Sequence, residues 1–239
     1  MIPKIIHYCW FGNQPIPKHL QACMSTWSKV LPDYQIIRWD EKNFDVNSTV
    51  WTKEAYNLKK YAFVSDYVRL IALKKMGGIY LDTDVVVKKR FDSLLAKHAF
   101  MGFENELYLT SAIMGFEPDF PILDEFIEWY TGKHFALKNG ALNNAANVII
   151  LTEICKKHGL IIKNSIQEVD NISIFTQDFF CPLDFYHNNC ESNKTLTVHL
   201  FDGSWLDDNI KTSIRIERNI LFKLYIKAKN IIKKIMGAK

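Results

Sequence analysis

Two aspartates separated by one residue, Asp82 and Asp84, are the side chains of this sequence whose types and spacing most directly predict chemistry. Alternate side chains of an extended segment point the same way, so both carboxylates can reach one ion. Mg²⁺ and Mn²⁺ prefer such oxygen ligands and keep open positions for phosphate oxygens. The pair therefore predicts a metal site that anchors a diphosphate and stabilises the charge on it as it departs. A solvated turn is the alternative interpretation.

The sequence around the two acids favours the metal site over the turn. The apolar run Ile79–Leu81 precedes the pair and Val85–Val87 follows it, which predicts a strand interrupted at its end by two acids. Gly77 and Gly78 come just before the run, where they can end a helix and allow a sharp turn into the strand. The acids would then lie at the edge of a sheet beside buried residues.

A second polar group lies upstream, where Asp66 and Arg69 are three residues apart on a predicted helix. One interpretation is an ordinary intrahelical ion pair that contributes a few tenths of a kcal/mol. If that helix face looks toward the metal, Arg69 could instead hold a phosphate or ribose and Asp66 a sugar hydroxyl.

The elements that must position these residues alternate between strand and helix along the chain. Apolar periodicity predicts a β-α-β opening, a long helical stretch before the two acids, and further strands and helices after them. This alternation predicts an α/β sheet with ligands at the carboxyl ends of its strands. The predicted strands are Ile2–Trp10, Tyr34–Trp39, Ile79–Leu81, two within 99–116, Ile172–Phe175 and Leu196–Phe201, and the predicted helices are Pro17–Leu31, Ala55–Met76, Pro121–Tyr130 and Asn147–His158.

The positive charge of the chain is concentrated at its C-terminus. The formal net charge is +4, but residues 211–239 hold nine Lys and Arg against one acid, which leaves 21 bases and 25 acids in the other 210 residues. An acidic body argues against a nucleic-acid partner. The tail has an apolar stripe flanked by lysines, which indicates an amphipathic helix that binds an anionic membrane surface or docks on its own domain. We therefore expect one domain over 1–210 and a basic amphipathic helix over 211–239.

The cysteines and the N-terminus bear on the compartment. The five cysteines show no regular spacing, which argues against a disulfide framework or zinc cluster and favours small buried apolar residues. The N-terminal segment lacks the long apolar region of a signal peptide, and no run reaches the length of a membrane span. These features predict a cytoplasmic chain, peripheral at most on the inner face of the membrane.

Four sequence motifs follow one another along the chain: Ile2–His7 with Trp10, Ser65-Asp66-x-x-Arg69, Gly77–Asp82 with Asp84, and His199 with Ser204-Trp205. In type and order they resemble those of glycosyltransferase family 32, the Asp-x-Asp sugar transferases of bacterial capsule and polysaccharide synthesis and of fungal mannosylation. The resemblance extends more distantly to the glucosylating domains of clostridial toxins.

The resemblance implies a GT-A fold with a mixed central sheet flanked by helices, a nucleotide-diphosphate-sugar donor, Mn²⁺ or Mg²⁺, and transfer with retention of configuration. It implies that Trp10 stacks on the nucleotide base and that Asp66 and Arg69 hold the donor sugar and phosphate. Tyr80 and Asp82 would line the ribose and sugar, and Asp84 would ligate the metal most directly. His199 would complete the metal site with Asp82 and Asp84, and Ser204 and Trp205 would lie beside the donor.

Together these observations predict a retaining hexosyltransferase that uses a nucleotide sugar, with UDP as the preferred nucleotide, and a glycan or lipid-linked acceptor. With no nucleophile evident, we expect front-face attack in which the leaving phosphate helps to accept the proton, with Asp66 and Asp84 as the catalytic residues. A haloacid-dehalogenase-like phosphohydrolase, with Asp82 as nucleophile and Asp207-Asp208 on Mg²⁺, is one alternative. A catalytically silent glycan-binding protein is another. Solvated loop positions are expected for Glu104, Asn105 and Glu106, with contact to acceptor or donor hydroxyls as the alternative. A hydrogen-bonded structural role is expected for His7.

Overall fold

A computed structural model describes residues 1–183 and 189–203 of the chain. A seven-stranded sheet with the order β2-β1-β3-β6-β5-β8-β7 forms its centre, and it contains three parallel and three antiparallel pairs of neighbouring strands. The expectation of a mixed α/β sheet is confirmed. Its strands are β1 (Ile5–Cys9), β2 (Gln35–Trp39), β3 (Gly78–Leu81), β5 (Ala99–Gly102), β6 (Ile113–Phe116), β7 (Gln167–Val169) and β8 (Ile172–Phe175), and β4 (Val85–Val87) and β9 (Thr197–His199) form a separate antiparallel pair.

Helices cover both faces of the central sheet, and an apolar core fills the space on each side. One core contains residues of the second to fifth helices, and the other contains Trp27 and Leu31 near the C-terminal end of the first helix. The helices are α1 (Lys18–Val30), α2 (Val50–Asn57), α3 (Tyr61–Met76), α4 (Ile122–Glu128), α5 (Asn147–Lys157) and α6 (Gln177–Phe180), with a 3₁₀ turn at Asp92–Leu94.

The strand directions decide which loops meet. β1 and β3 are parallel, β6 runs antiparallel to β3, and β5 runs antiparallel to β6. The segments that follow β1, β3 and β5 therefore leave the sheet at the same edge, as expected for ligand-binding loops of an α/β sheet.

The predicted helix over Ala55–Met76 is wrong, because the structure divides this region into α2 and α3. Lys59 between them adopts a positive φ of 58°, which no helix continues through. The Trp51 indole of α2 donates a 3.0 Å hydrogen bond to the carbonyl of Phe63 in α3 and helps to fix the bend. The predicted C-terminus of α3 at Gly77 is confirmed, with φ at 61°.

The strand after the two acids does not continue in the central sheet. β4 is held instead against α1, because the Trp27 indole donates to the Val85 carbonyl at 2.7 Å and the Thr26 hydroxyl accepts from the Val87 amide at 2.9 Å. β9, shorter than the predicted Leu196–Phe201, pairs with β4 and places His199 opposite Val85.

The structural role predicted for His7 is confirmed. Its buried ring accepts a hydrogen bond from the Trp39 indole at Nδ1 (3.0 Å) and donates from Nε2 to the Gly77 carbonyl (2.7 Å). Burial lowers the pKa of His7, which keeps the ring neutral. Four cysteines are buried as predicted, but Cys190 is exposed.

Candidate active site

A cleft of about 740 Å³ opens at the edge of the sheet where β1, β3 and β5 end. Among its lining residues are the predicted site residues Trp10, Asp66, Arg69, Tyr80, Asp82, Asp84 and His199. The structure therefore brings these seven residues together in one cavity. Ser204, Trp205, Asp207-Asp208 and the predicted helix over 211–239 lie outside the described residues.

Asp82, Asp84 and His199 form the chemical centre of the cleft. One ligand atom from each of the three lies within 4.8 Å of those of the other two. β3 delivers Asp82 and Asp84 at the sheet edge, and the β4–β9 pairing brings His199 to them from more than a hundred residues away. Two carboxylates and an imidazole are a donor set that suits Mn²⁺ or Mg²⁺, with Mn²⁺ the better partner for the nitrogen ligand.

Asp84 is more buried than a strand-end acid would be in a solvated turn. It is 9% exposed, its Oδ2 lies 3.3 Å from His199 Nε2, and the same oxygen accepts the Asp202 amide at 2.9 Å. Burial alone would raise the pKa of Asp84, but the charge of His199 and these hydrogen bonds lower it to about 2. Burial likewise opposes the imidazolium, yet Asp84 raises the pKa of His199 well above its ordinary value.

The nitrogen of His199 that could serve a metal is Nε2, which lies 3.3 Å from Asp84 Oδ2. Nδ1 is buried, and the neighbouring Cys181 thiol helps to raise the pKa of the ring. The ring packs against Phe201 at a centroid distance of 4.1 Å and a tilt of 37°, and Phe201 has a positive φ of 52°. Since a bulky residue rarely adopts this backbone conformation, the segment after β9 is held in place by its contacts around Asp84.

Arg69 organises the donor side of the cleft. Its guanidinium is 4% exposed and lies 2.7 Å from Asp66 Oδ1 and 3.4 Å from Asp82 Oδ1. It also donates to the Ser111 carbonyl at 2.7 Å and lies 4.5 Å from the centre of the Tyr80 ring. The Arg69–Asp66 pair is intrahelical, as one interpretation of the sequence had it, but it is buried and joined to the sheet rather than an ordinary surface pair.

Asp66 and Asp82 receive further hydrogen bonds that fix their orientation. The Tyr80 hydroxyl donates to Asp82 Oδ1 at 2.9 Å, and the Asn147 amide donates to Asp66 Oδ1 at 3.4 Å. Burial raises the pKa of Asp66 to about 6 and outweighs the opposing charge of Arg69. One Asp66 oxygen is thus occupied by the protein, and the other is available to a hydroxyl in the cleft.

Trp10 lies at the rim of the cleft in a turn that the protein holds tightly. Its indole donates to the Gln14 carbonyl at 2.7 Å, and the amide of Gly12 donates to Glu41 at 2.6 Å. Gly12 has a positive φ of 92°, and a Cβ there would come within 2.3 Å of the Tyr61 ring. The ring of Trp10 is therefore presented to the cleft by a rigid turn.

The sequence did not identify several residues of the cleft. Glu104 and Asn105, expected in a solvated loop, line it, as do Tyr61, Ser111 and Asn147. The signal that could have found Glu104 is its place directly after a buried strand, the same signal that Asp82 carries. Glu106, two residues on, is exposed as expected.

The DXD region of the chain matches a known family model, and curated relatives match about half of the chain. Residues 17–101 match the family described as a glycosyltransferase sugar-binding region containing a DXD motif. An inositol phosphoceramide mannosyltransferase of Schizosaccharomyces pombe is 32% identical over 126 residues, 51% of this chain and 35% of that protein. A mannosyl phosphorylinositol ceramide synthase of Saccharomyces cerevisiae is 30% identical over 51% of this chain and 32% of its own length, so the chain spans about a third of these two curated relatives.

A glycosyltransferase of Acanthamoeba polyphaga mimivirus matches over more of both chains, with 29% identity over 86% of this chain and 84% of the viral protein. Among solved structures, the glycosyltransferase PaToxG superposes with a TM-score of 0.49 and 19% identity over 65% of this chain and 68% of its own. The galactosyltransferase LgtC superposes with a TM-score of 0.44 and 14% identity over 85% and 90% of the two chains. The resemblance inferred from the motifs is confirmed by the family match.

Proposed function

Because residues 17–101 carry the DXD-containing sugar-binding region of a glycosyltransferase family, we propose that the protein is a metal-dependent, retaining GT-A glycosyltransferase. It moves a hexose from a nucleotide-diphosphate sugar to a glycan or lipid-linked acceptor in cell-surface polysaccharide synthesis. The observation that carries the proposal is the convergence of Asp82, Asp84 and His199 in the cleft that also holds Arg69 and Trp10.

The charge of the cleft supports a requirement for a cation. Its described lining residues include five carboxylates and three Lys or Arg side chains, so a nucleotide diphosphate would approach a site that is itself anionic. Asp82, Asp84 and His199 would hold Mn²⁺ or Mg²⁺. The positive charge of the ion would attract the diphosphate and would stabilise the negative charge on it as it departs.

The remaining cleft residues are assigned to the donor. Trp10 stacks on the base, since an aromatic face serves any base. Arg69 turns its guanidinium toward a phosphate or ribose from a position fixed by four carbonyl and carboxylate partners. Asp66 accepts a hydrogen bond from a donor-sugar hydroxyl. Tyr80 acts through Asp82, whose carboxylate it orients.

The donor, the acceptor and the location belong to this proposal. UDP is the preferred nucleotide, and the names of the two yeast relatives make GDP-mannose the first competitor. Among the described residues no helix has the length and apolarity to cross a bilayer. A location at the inner face of the membrane, through residues 211–239, remains part of the proposal.

A donor-hydrolysis screen tests the proposal. The purified chain is incubated with UDP-glucose, UDP-galactose, the two UDP-N-acetylhexosamines and GDP-mannose, with Mn²⁺ or with EDTA, and released nucleotide is measured. We expect metal-dependent release from one donor and a loss of about a hundredfold or more in Asp82→Asn. Asp92→Asn, an exposed acid paired with Arg90 away from the cleft, is the matched control. Absence of turnover with every donor of the screen would refute the proposal.

A further inference from the structure

Glu104 lies at the edge of the sheet that also presents Asp82. β5 runs in the same direction as β3 because β6 lies antiparallel between them, so the residue pair Phe103-Glu104 leaves the sheet where the DXD acids do. Glu104 lines the same cleft. It approaches the metal-binding residues from the β5 side, whereas Asp66 and Arg69 approach from α3.

The backbone of Glu104 is fixed by a short hairpin. Its amide donates to the Tyr108 carbonyl at 2.8 Å, and Phe103 forms a bridge with Leu109. The Asn105 side chain accepts the amides of Leu107 and Tyr108 at 2.9 and 3.0 Å. A side chain on such a turn stays aimed at the cleft at little further entropic cost.

Glu104 differs from the other carboxylates of the cleft in its charge partners. Within the described residues it makes no salt bridge, whereas the other four cleft carboxylates each lie within salt-bridge distance of a basic side chain. These pairs are Arg69 with Asp66 and with Asp82, His199 with Asp84, and His19 with Asp202. Glu104 is thus the described cleft carboxylate that has no basic side chain within salt-bridge distance.

The groups that face Glu104 come from four segments of the chain. Burial raises the pKa of Glu104, the charge of His199 lowers it, the charges of Asp82 and Asp84 raise it again, and the nearby Thr110 hydroxyl lowers it. The Cys181 thiol also interacts with the charge of Glu104. These interactions place the Glu104 carboxyl in the cleft beside Asp82, Asp84 and His199.

We propose that Glu104 accepts the proton of the attacking hydroxyl in the transfer reaction, an inference that rests on the proposed function. The acceptor oxygen forms the new bond to the anomeric carbon as its proton passes to a Glu104 oxygen. The bond between that carbon and the β-phosphate oxygen breaks, and its electron pair leaves with the nucleoside diphosphate. Glu104 thereby takes the role that the leaving phosphate would otherwise have to fill.

The position of Glu104 also bears on stereochemistry. It faces Asp82, Asp84 and His199, which are the residues assigned to the metal and therefore to the departing diphosphate. A hydroxyl held by Glu104 would attack from the side on which the diphosphate leaves, and this geometry gives retention of configuration.

Donor hydrolysis tests the inference without knowledge of the acceptor, because water then supplies the attacking hydroxyl. In Glu104→Gln we expect the turnover number for the best donor of the screen to fall about a hundredfold or more. The affinities for Mn²⁺ and for the free nucleotide, measured by calorimetry, should stay at wild-type values and show that the variant is folded. In Glu104→Ala, added formate should restore part of the turnover. Glu106→Gln, in the exposed part of the same turn, should behave as wild type.

Four outcomes would overturn the inference. Wild-type turnover in Glu104→Gln would exclude a role in proton transfer, and a matched loss of Mn²⁺ affinity would make Glu104 a metal ligand instead. Unchanged hydrolysis with reduced transfer to sugar acceptors would make it an acceptor-binding residue. A glycosyl adduct on Glu104 found by mass spectrometry would make it a nucleophile. Failure of the wild-type chain to turn over any donor refutes the proposed function, which separates that result from these four.

Discussion

Replacing Asp84 with Asn removes the negative charge from the buried pair that this residue forms with His199 while keeping the side-chain volume. The carboxylate is 9% exposed and lies 3.3 Å from the imidazole. In the variant, burial remains and lowers the pKa of His199, so the ring loses its proton and the ion pair disappears. The change therefore tests the electrostatics of the pair rather than its packing.

The magnitude follows from the pKa of Asp84, which the fold lowers from 3.8 to about 2. A shift of this size corresponds to roughly 2 kcal/mol of folding free energy. The contribution of Asp84 is present above its unfolded pKa and is lost as the pH falls through about 2. The contribution of His199, whose pKa is raised in the folded state, is fully present below pH 6.5 and is lost as the pH rises through that folded-state pKa. Between these limits, near pH 5.5, both contributions are complete.

Thermal unfolding near pH 5.5 and near neutral pH, with EDTA or with saturating Mn²⁺, is the assay. We expect Asp84→Asn to melt roughly 4–8 °C below wild type in EDTA near pH 5.5, since 1 kcal/mol corresponds to about 2–4 °C for a domain of this size. Near neutral pH, Mn²⁺ at a hundred times its Kd should stabilise wild type by about 2.7 kcal/mol. Asp84→Asn should lose this stabilisation by Mn²⁺.

The exposed acid Asp92, which pairs with Arg90, provides the control. Asp92→Asn should cost less than about 1 kcal/mol, as surface pairs do, and should keep the Mn²⁺ shift. The reasoning is refuted if Asp84→Asn melts with wild type and retains the shift. If Asp84→Asn loses stability but keeps the full Mn²⁺ shift, the result would support the Asp84–His199 ion pair and exclude Asp84 as a metal ligand.

Three further changes have expected outcomes. Arg69→Lys should lower the free energy of unfolding in urea by about 3 kcal/mol or more, because the lysine ammonium cannot replace the planar guanidinium and leaves buried acids unpaired. An effect as small as that of a surface substitution would contradict the buried geometry. Gly12→Ala should lower both the melting temperature and the nucleotide affinity because its Cβ meets Tyr61, whereas Gly140→Ala, also at positive φ but with open space around it, should lose stability alone and by less. His158→Gln should remove a stabilisation that is full below pH 6.5 and is lost as the pH rises through the raised pKa of His158, so wild type and variant should differ in unfolding free energy at pH 5.5 and converge in alkali.

Local sequence patterns were sufficient to predict the elements whose ends are set by residues close by in the sequence. The strand Ile172–Phe175 is observed with its predicted ends, and α3 ends where Gly77 supplies a positive φ that other residues adopt at a cost. The same holds for Asp82 and Asp84, because an apolar strand followed by acids is readable from the chain alone. The family resemblance added the roles of Trp10 and His199, which no local pattern could assign.

The remainder depends on contacts between distant residues. Lys59 breaks the helix without Gly or Pro, so only the packing of Trp51 against Phe63 reveals the bend. The burial of Asp84 results from the β4–β9 pairing and from the amide of Asp202, neither of which its sequence neighbours indicate. The sequence analysis could leave a solvated turn only as the alternative for Asp84, and for Glu104 it expected a solvated loop, which was wrong.

The Asp84–His199 pair explains how a buried acidic site can fold before it holds an ion. The imidazolium pairs with Asp84, and Arg69 pairs with both Asp66 and Asp82, so two cations offset most of the charge of these three acids before an ion binds. A cation that binds through His199 must first displace its proton, which exchanges one positive charge for two. The gain of one charge is what an incoming diphosphate needs, and it makes metal affinity increase with pH. Proton and metal ion thus compete for the same ring, and Asp84 has a cationic partner in either state.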